Sequence, residues 1–347
     1  PLINETGVIG GIVISVELSS ESIKKKVKKA TSRYNFEDII TVNKKFKKSL
    51  KILEKVSKND SNVLIIGDTG TGKELIAHSI HSNSNRRNKP FIIQNCAAIP
   101  SSIMESIFFG TSKGSFTGAI DKEGLFESAN GGTIFLDEIN SIPYDLQSKL
   151  LRTLENKKVM RVGENIERDI DIRIIASTNE DLVEKVDKGE FRADLFYRLN
   201  VISFSVPPLK ERKEDIEVLA NYYINQYNSV LNKNVTGISK DAMQVLFNHE
   251  WKGNVRELKN VIEYALNFSE QGVLSKENLP QYLLKSSDSR TEGCIIDNSL
   301  TSMVENYECN IIDDALKACK YNILKASELL NIPRQTLYYK LKKYNLY

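Results

Sequence analysis

The sequence predicts an α/β fold over most of its length: a parallel sheet with helices on both faces, then a smaller helical subdomain, then a basic helical C-terminus. Three observations lead there. From Phe36 onward, short β-rich runs alternate with helical segments, at Val63–Ile66, Phe91–Gln94, Thr133–Leu136, Ile172–Ala176 and Val201–Val206. The first run passes directly into a glycine-rich turn and an apolar-periodic helix near Glu74–His81. After Pro207 and Pro208 the strand-rich pattern stops, and residues 209–285 read as helices only.

At 347 residues the chain has room for two or three domains, and 41% hydrophobic with 27% charged residues is ordinary for a soluble globular protein. No apolar run reaches the roughly 18 residues of a membrane span. Gly7–Val16 is too short, and lysines follow rather than precede it, which argues against a signal peptide. The chain begins at Pro1 with no methionine, so a natural N-terminus further upstream is expected. Cys96, Cys294, Cys309 and Cys319 lack metal-ligand spacing, and with only three histidines beside them they read as reduced thiols of a cytoplasmic protein. The net charge of +3 is small, but charge gathers near both ends.

Residues 1–34 read as the end of something else. Val8, Ile12, Ile14 and Val16 alternate as in a strand, and a lysine-rich helix follows over Ser20–Thr31, its lysines forming a solvated face.

Gly67-Asp68-Thr69-Gly70-Thr71-Gly72-Lys73 lies between a strand and a helix, the setting a phosphate-binding loop requires. Its glycines let backbone N–H groups curl around phosphate oxygens, and the helix N-terminus adds its positive end. Lys73 is placed to reach the β- and γ-phosphates of ATP. Glu74 occupies the position where Ser or Thr ordinarily meets Mg²⁺. A second acidic element, Gly132-Thr-Ile-Phe-Leu-Asp137-Glu138, is an apolar strand that delivers two carboxylates to the same sheet edge. Asp137 is expected to hold Mg²⁺, directly or through water, and Glu138 to polarise the attacking water. The two elements together predict a nucleoside triphosphatase.

Between them lies Lys113-Gly114-Ser115-Phe116-Thr117-Gly118-Ala119, which resembles the G-A-F-T-G-A loop of the sigma-54-dependent activators of the AAA+ ATPase class. Ser115 in place of alanine is the one departure. The resemblance covers roughly residues 36–285 and resumes at the C-terminus. It implies an AAA+ sheet-and-lid fold, ATP with Mg²⁺, and contact of Gly114–Ala119 with sigma-54. It accounts for Glu74 in the phosphate loop. It further implies that Asn95 restrains Glu138, that Thr178-Asn179 form the first sensor, and that Arg192 and Arg198 are arginine fingers. Arg256, in Trp251-Lys-Gly-Asn254-Val-Arg256, would be the second sensor beside the nucleotide.

The C-terminal end reads as a helix-turn-helix. Ile323, Ala326 and Leu330 line one face of a first helix, Asn331-Ile332-Pro333 supplies the turn, and Leu337 and Leu341 face inward on a second. Arg334, Gln335, Thr336, Tyr339 and Lys340 then occupy its N-terminal half or outer face, where a recognition helix meets bases and phosphates. The segment resembles the Fis-type module that ends many sigma-54 activators, with Val304–Lys320 as the expected dimer interface.

The expected organisation is 1–34, a remnant resembling the end of a PAS-type sensory domain or else a plain linker; 35–208, the α/β ATPase part; 209–285, the helical lid; 286–302, a linker; and 303–347, the DNA-binding module. The expected partners are sigma-54 RNA polymerase, upstream DNA and further copies of the chain, from a dimer to a hexameric ring, with no membrane. Two other readings stand beside this one: an AAA+ machine acting on a different protein, and a nucleotide-sensing DNA-binding regulator without sigma-54.

Overall fold

The computed structural model describes residues 2–3, 9–10, 34–115, 119–269, 272–288, 308–309, 311–312, 315–317, 319 and 321–344. In the first 33 residues the described ones form a two-residue antiparallel pairing, Leu2–Ile3 with Ile9–Gly10; the strand expected over Val8, Ile12, Ile14 and Val16 lies outside the described residues. The lysine-rich helix, Phe116, Thr117 and Gly118, and nearly all of the 286–302 linker lie outside the described residues.

The chain divides into two compact units, 1–287 and 288–347. The first is built on five parallel strands, β1 (Val63–Ile66), β2 (Phe91–Asn95), β3 (Thr133–Asp137), β4 (Arg173–Thr178) and β5 (Ile202–Ser205), in the order β5-β1-β4-β3-β2. Alternate side chains on a strand point to opposite faces. Leu64, Ile92, Ile134, Leu136, Ile174 and Ala176 therefore enter one core with Met104, Phe108, Leu150 and Leu195. Val63, Ile65, Phe91, Phe135, Ile175 and Phe204 enter another with Phe46, Leu50, Ile76 and Ile80. Burial on both faces explains why the strands read as continuous apolar runs.

The helices covering the sheet are α1 (Lys44–Ser57), α2 (Lys73–Ser82), α3 (Ser101–Phe109), α4 (Tyr144–Asn156) and α5 (Ala193–Leu199), with two shorter ones at Leu125–Ser128 and Leu182–Asp187. The lid that follows has its own core around Trp251, from α6 (Glu214–Leu231), α7 (Lys240–Asn248) and α8 (Asn254–Phe268). Here the structure corrects the expectation of helices only. Val235–Ile238 pairs in parallel with Gly272–Leu274, with a register shift at Val235/Gly237. Strands this short leave too few residues to set a period, and the glycine irregularity hides what alternation there is.

In the second unit, α9 (Ile323–Leu329) and α10 (Arg334–Lys343) pack through Ala326, Leu337 and Leu341, joined by Ile312 and Leu316. Asn331, at φ 48, makes the left-handed bend between them, a conformation Asn tolerates better than most residues. Among the described residues no helix is long and apolar enough to cross a membrane.

Candidate functional site

Parallel sheets place ligands at the carboxyl ends of their strands, and four such ends meet here. Beyond β1 the chain curls from Gly67 to Gly72, with the Gly67 N–H donating to the Thr178 carbonyl at 3.2 Å. Gly70 (φ 80) and Gly72 (φ 105) adopt backbone angles open to glycine. At Gly70 space also forbids a side chain, since a Cβ would lie 2.3 Å from the Gly253 carbonyl oxygen. Among the described residues no acceptor bonds the N–H groups of Thr69, Gly70 or Gly72, which leaves a cradle of backbone donors. Lys73, the first residue of α2, is buried; its Nζ donates to the carbonyls of Gly67 (2.6 Å) and Asp68 (3.1 Å). Burial lowers its pKa, against the opposing pull of Asp137, Glu138 and Asp68.

β3 ends in Asp137. One of its carboxylate oxygens accepts from Ser177 Oγ, and the other from Asn95 Nδ2 at 3.2 Å. Asn95 was expected to hold Glu138; instead it holds Asp137, because the β2–β3 register sets Asn95 beside Asp137 with both side chains on one face. Glu138 stands next at φ 55, a left-handed angle uncommon for a residue with a side chain and a mark of strain often found at functional positions. After β4, Asn179 Nδ2 donates to Thr69 Oγ1 at 3.4 Å, while its buried Oδ1 has no partner among the described residues. The start of α8 closes the arrangement. Asn254 Nδ2 donates to the Thr69 carbonyl at 3.1 Å, and the N–H groups of Val255 and Arg256 donate to the Gly70 carbonyl.

These groups wall a cleft of about 610 Å³. Its lining includes polar groups, Gly70–Glu74, Asn95, Asp137, Glu138, Arg212 and Arg256, and apolar ones, Ile39, Ile40, Phe46 and Leu219. The size and the split lining suit a nucleotide, with the phosphates on the donor cradle and the base on the apolar wall. Glu74, at the start of α2, is exposed, its carboxylate 4.0 Å from His78.

Arg192 and Arg198 are not in this cleft. Arg192 forks onto Asp194 (2.8 and 3.1 Å) and lies 5.8 Å from the Tyr144 ring centroid. Arg198 Nη2 donates to the Leu154 carbonyl at 3.1 Å and lines a separate pocket of about 230 Å³.

Gly114, at φ 92, and Ser115 and Ala119 belong to the described base of the third motif. That base is stitched down. Thr111 Oγ1 donates to Ile120 O (2.7 Å), the Lys113 N–H donates to Asp121 (2.8 Å), and the Ser112 N–H donates to Val162 O (3.1 Å). Val162 lies in the turn of an antiparallel hairpin, Lys158–Met160 with Glu167–Asp169, and Gly163 there packs so tightly on Ser115 that a Cβ would approach its Cβ to 2.4 Å.

On α10, Arg334, Gln335, Tyr338, Tyr339 and Lys342 are exposed and Thr336 half-buried. Lys340 turns the other way: it pairs with Glu308, to which Tyr344 also donates at 2.6 Å. Of the five residues expected at DNA, Lys340 is therefore the one placed against its own module.

Residues 39–205 match the sigma-54 interaction domain family, 210–294 the AAA+ ATPase lid domain, and 303–344 the Fis family of bacterial regulatory proteins. The transcriptional activator RocR of Bacillus subtilis is 40% identical over 355 residues, covering 99% of this chain and 77% of RocR. The chain belongs to the sigma-54-dependent transcriptional activators.

This chain spans 54% of the length of a Clostridium beijerinckii signal-transduction and transcriptional-control protein, to which it is 41% identical. Among solved structures, NtrX from Brucella abortus in complex with ATP superposes with a TM-score of 0.68 at 31% identity, covering 88% of this chain and 69% of that one. The activator's fold is thus an AAA+ domain with parallel sheet, helical lid and C-terminal helix-turn-helix.

Sequence reasoning missed residues that act on the site through backbone. Asn254 ties the lid to the phosphate loop, receiving the Leu209 N–H at 2.8 Å on its other side. Its signal was its place in the Trp251–Arg256 stretch, where only Arg256 was singled out. Ser177 carried no signal of its own, being one small residue in an apolar strand.

Proposed function

We propose that this activator binds upstream DNA through α10 and uses ATP hydrolysis in a ring of its own copies to open the closed promoter complex of sigma-54 RNA polymerase. One observation carries the proposal. Lys73, Asp137 and Glu138 line one cleft, and Asn179 bonds to Thr69 in its wall, while both arginines read as fingers lie outside it.

In that cleft the backbone donors of Thr69, Gly70 and Gly72 cradle the phosphates of ATP, and Lys73 exchanges its two carbonyl partners for the β- and γ-phosphate oxygens. Asp137, oriented by Ser177 and Asn95, is the carboxylate that would hold Mg²⁺, which would supply neutralisation of the phosphate charge. Glu138 polarises the attacking water, and Asn179, bonded to Thr69 of the phosphate loop, serves as the first sensor of the nucleotide. Arg192 and Arg198, away from their own chain's cleft, serve a neighbour's γ-phosphate in trans. Hydrolysis moves the loop Gly114–Ala119, whose Phe116 and Thr117 press on sigma-54. DNA-bound copies raise the local concentration of the ring near the polymerase, which places the work in the cytoplasm.

The deciding experiment is promoter opening on a sigma-54 template, run beside ATP turnover. Phe116→Ala should keep turnover and abolish opening, whereas Glu138→Gln should bind ATP and turn over at least about a hundredfold more slowly. Normal opening by Phe116→Ala would remove the main support for sigma-54 as the target.

A further inference from the structure

Asp215, in the first turn of α6, and Arg212, just before that helix, are both buried and were singled out by no motif. The Asp215 carboxylate accepts from three successive residues of the segment that enters the domain: Thr41 Oγ1 (2.6 Å), the Val42 N–H (2.6 Å) and the Asn43 N–H (3.0 Å). Just upstream, Ile39 packs on the sheet core and Ile40 on the lid core, and both wall the nucleotide cleft. Arg212 lines the same cleft. Its Nη2 donates to the Thr71 carbonyl at 3.0 Å, and its guanidinium lies 5.0 Å from the Phe46 ring centroid. Nη1 is 3.9 Å from Asp215, and Nε is buried with no partner among the described residues.

A buried ion pair of this kind gives no advantage in stability over a well-packed apolar pair, and a long contact with an unsatisfied donor gives less still. Its arrangement makes sense as a brace. We propose that Arg212 and Asp215 are positioning residues for the nucleotide: Arg212 fixes the Thr71 carbonyl and so the curl of the phosphate loop, while Asp215 fixes the segment that presents Ile39 and Ile40. The inference rests on the nucleotide reading of the cleft. Because the brace acts alike on bound ATP and on the transition state, its loss raises KM and leaves kcat nearly unchanged.

The test uses the full chain with ATP, by calorimetry and steady-state turnover. Arg212→Met keeps an apolar stem over Phe46, and Thr41→Val removes one donor at nearly constant volume. Arg212→Met should weaken ATP binding and raise KM at least about tenfold, the scale of one charge-assisted hydrogen bond, with kcat within about threefold. Thr41→Val should shift both in the same direction by a smaller factor, and it decides the matter if Arg212→Met does not fold. A lowered melting temperature with unchanged KM would reduce the pair to a structural role and overturn the inference. So would a fall in kcat at constant KM. If the unmodified chain bound no ATP, the nucleotide reading itself would fail, and the brace with it.

Discussion

His81 lies on α2, its ring stacked at 4.5 Å on Phe91, with Nδ1 3.0 Å from Thr133 Oγ1. Burial, with the charge of Arg173 and the neighbouring His78, pushes its pKa down to about 4. A histidine depressed in the fold and ordinary when unfolded takes up its proton first in the unfolded chain. Stability is therefore lost as pH falls from about 6.5 towards 4, by up to about 3 kcal/mol from this group. The midpoint of urea unfolding should fall across that window, and His81→Asn, though less stable throughout, should show a shallower slope. Equal slopes would mean that other groups govern the acid response. What the sequence disclosed at this scale was residue type at fixed spacing, as with Lys73, Asp137 and Glu138. It could not disclose Glu138's left-handed backbone or Asn95's choice of Asp137, since both are set by strand register and by the turn that follows. Arg212 and Asp215 were illegible for a related reason: their partners, Thr71 and Thr41–Asn43, are brought to them by the fold.

Among the elements, α10 divides its side chains between two tasks. Arg334 and Gln335 stand exposed near its N-terminus, whereas Lys340 is drawn onto Glu308. Arg334→Ala or Gln335→Ala should cost about 1–3 kcal/mol on a specific duplex and little on a scrambled one, measured by fluorescence anisotropy. Lys340→Ala should instead destabilise the C-terminal unit by the modest amount typical of a half-exposed pair, about 0.5–1 kcal/mol, read as a lower melting temperature with specificity intact. A loss of specificity in Lys340→Ala would return that lysine to the DNA. The helices and five main strands were legible because periods of 3.6 and runs of buried residues announce them. The ladder of Val235–Ile238 with Gly272–Leu274 was not, being short and joined across the whole of α7 and α8.

For the whole molecule, the separation of Arg192 and Arg198 from their own cleft lets the proposed ring be tested through activity. Specific ATP turnover should rise with protein concentration. Arg198→Ala should bind ATP without hydrolysing it, and mixing it with Lys73→Ala should restore some turnover, since a mixed boundary can pair an intact cleft with an intact arginine. Turnover independent of concentration, with no recovery on mixing, would mean each chain acts alone. The stitched base of the Gly114–Ala119 segment adds a limit of a different kind. Its anchors at Lys113 and Asp121 hold a short span of chain between them. A fully extended chain gains about 3.3–3.6 Å per residue, and a span tethered at both ends projects half its length, about 12 Å. If this segment is the contact proposed for sigma-54, its backbone can reach no more than about 12 Å beyond those anchors. A stroke longer than that has to be delivered by the base itself, carrying the Lys158–Asp169 hairpin with it.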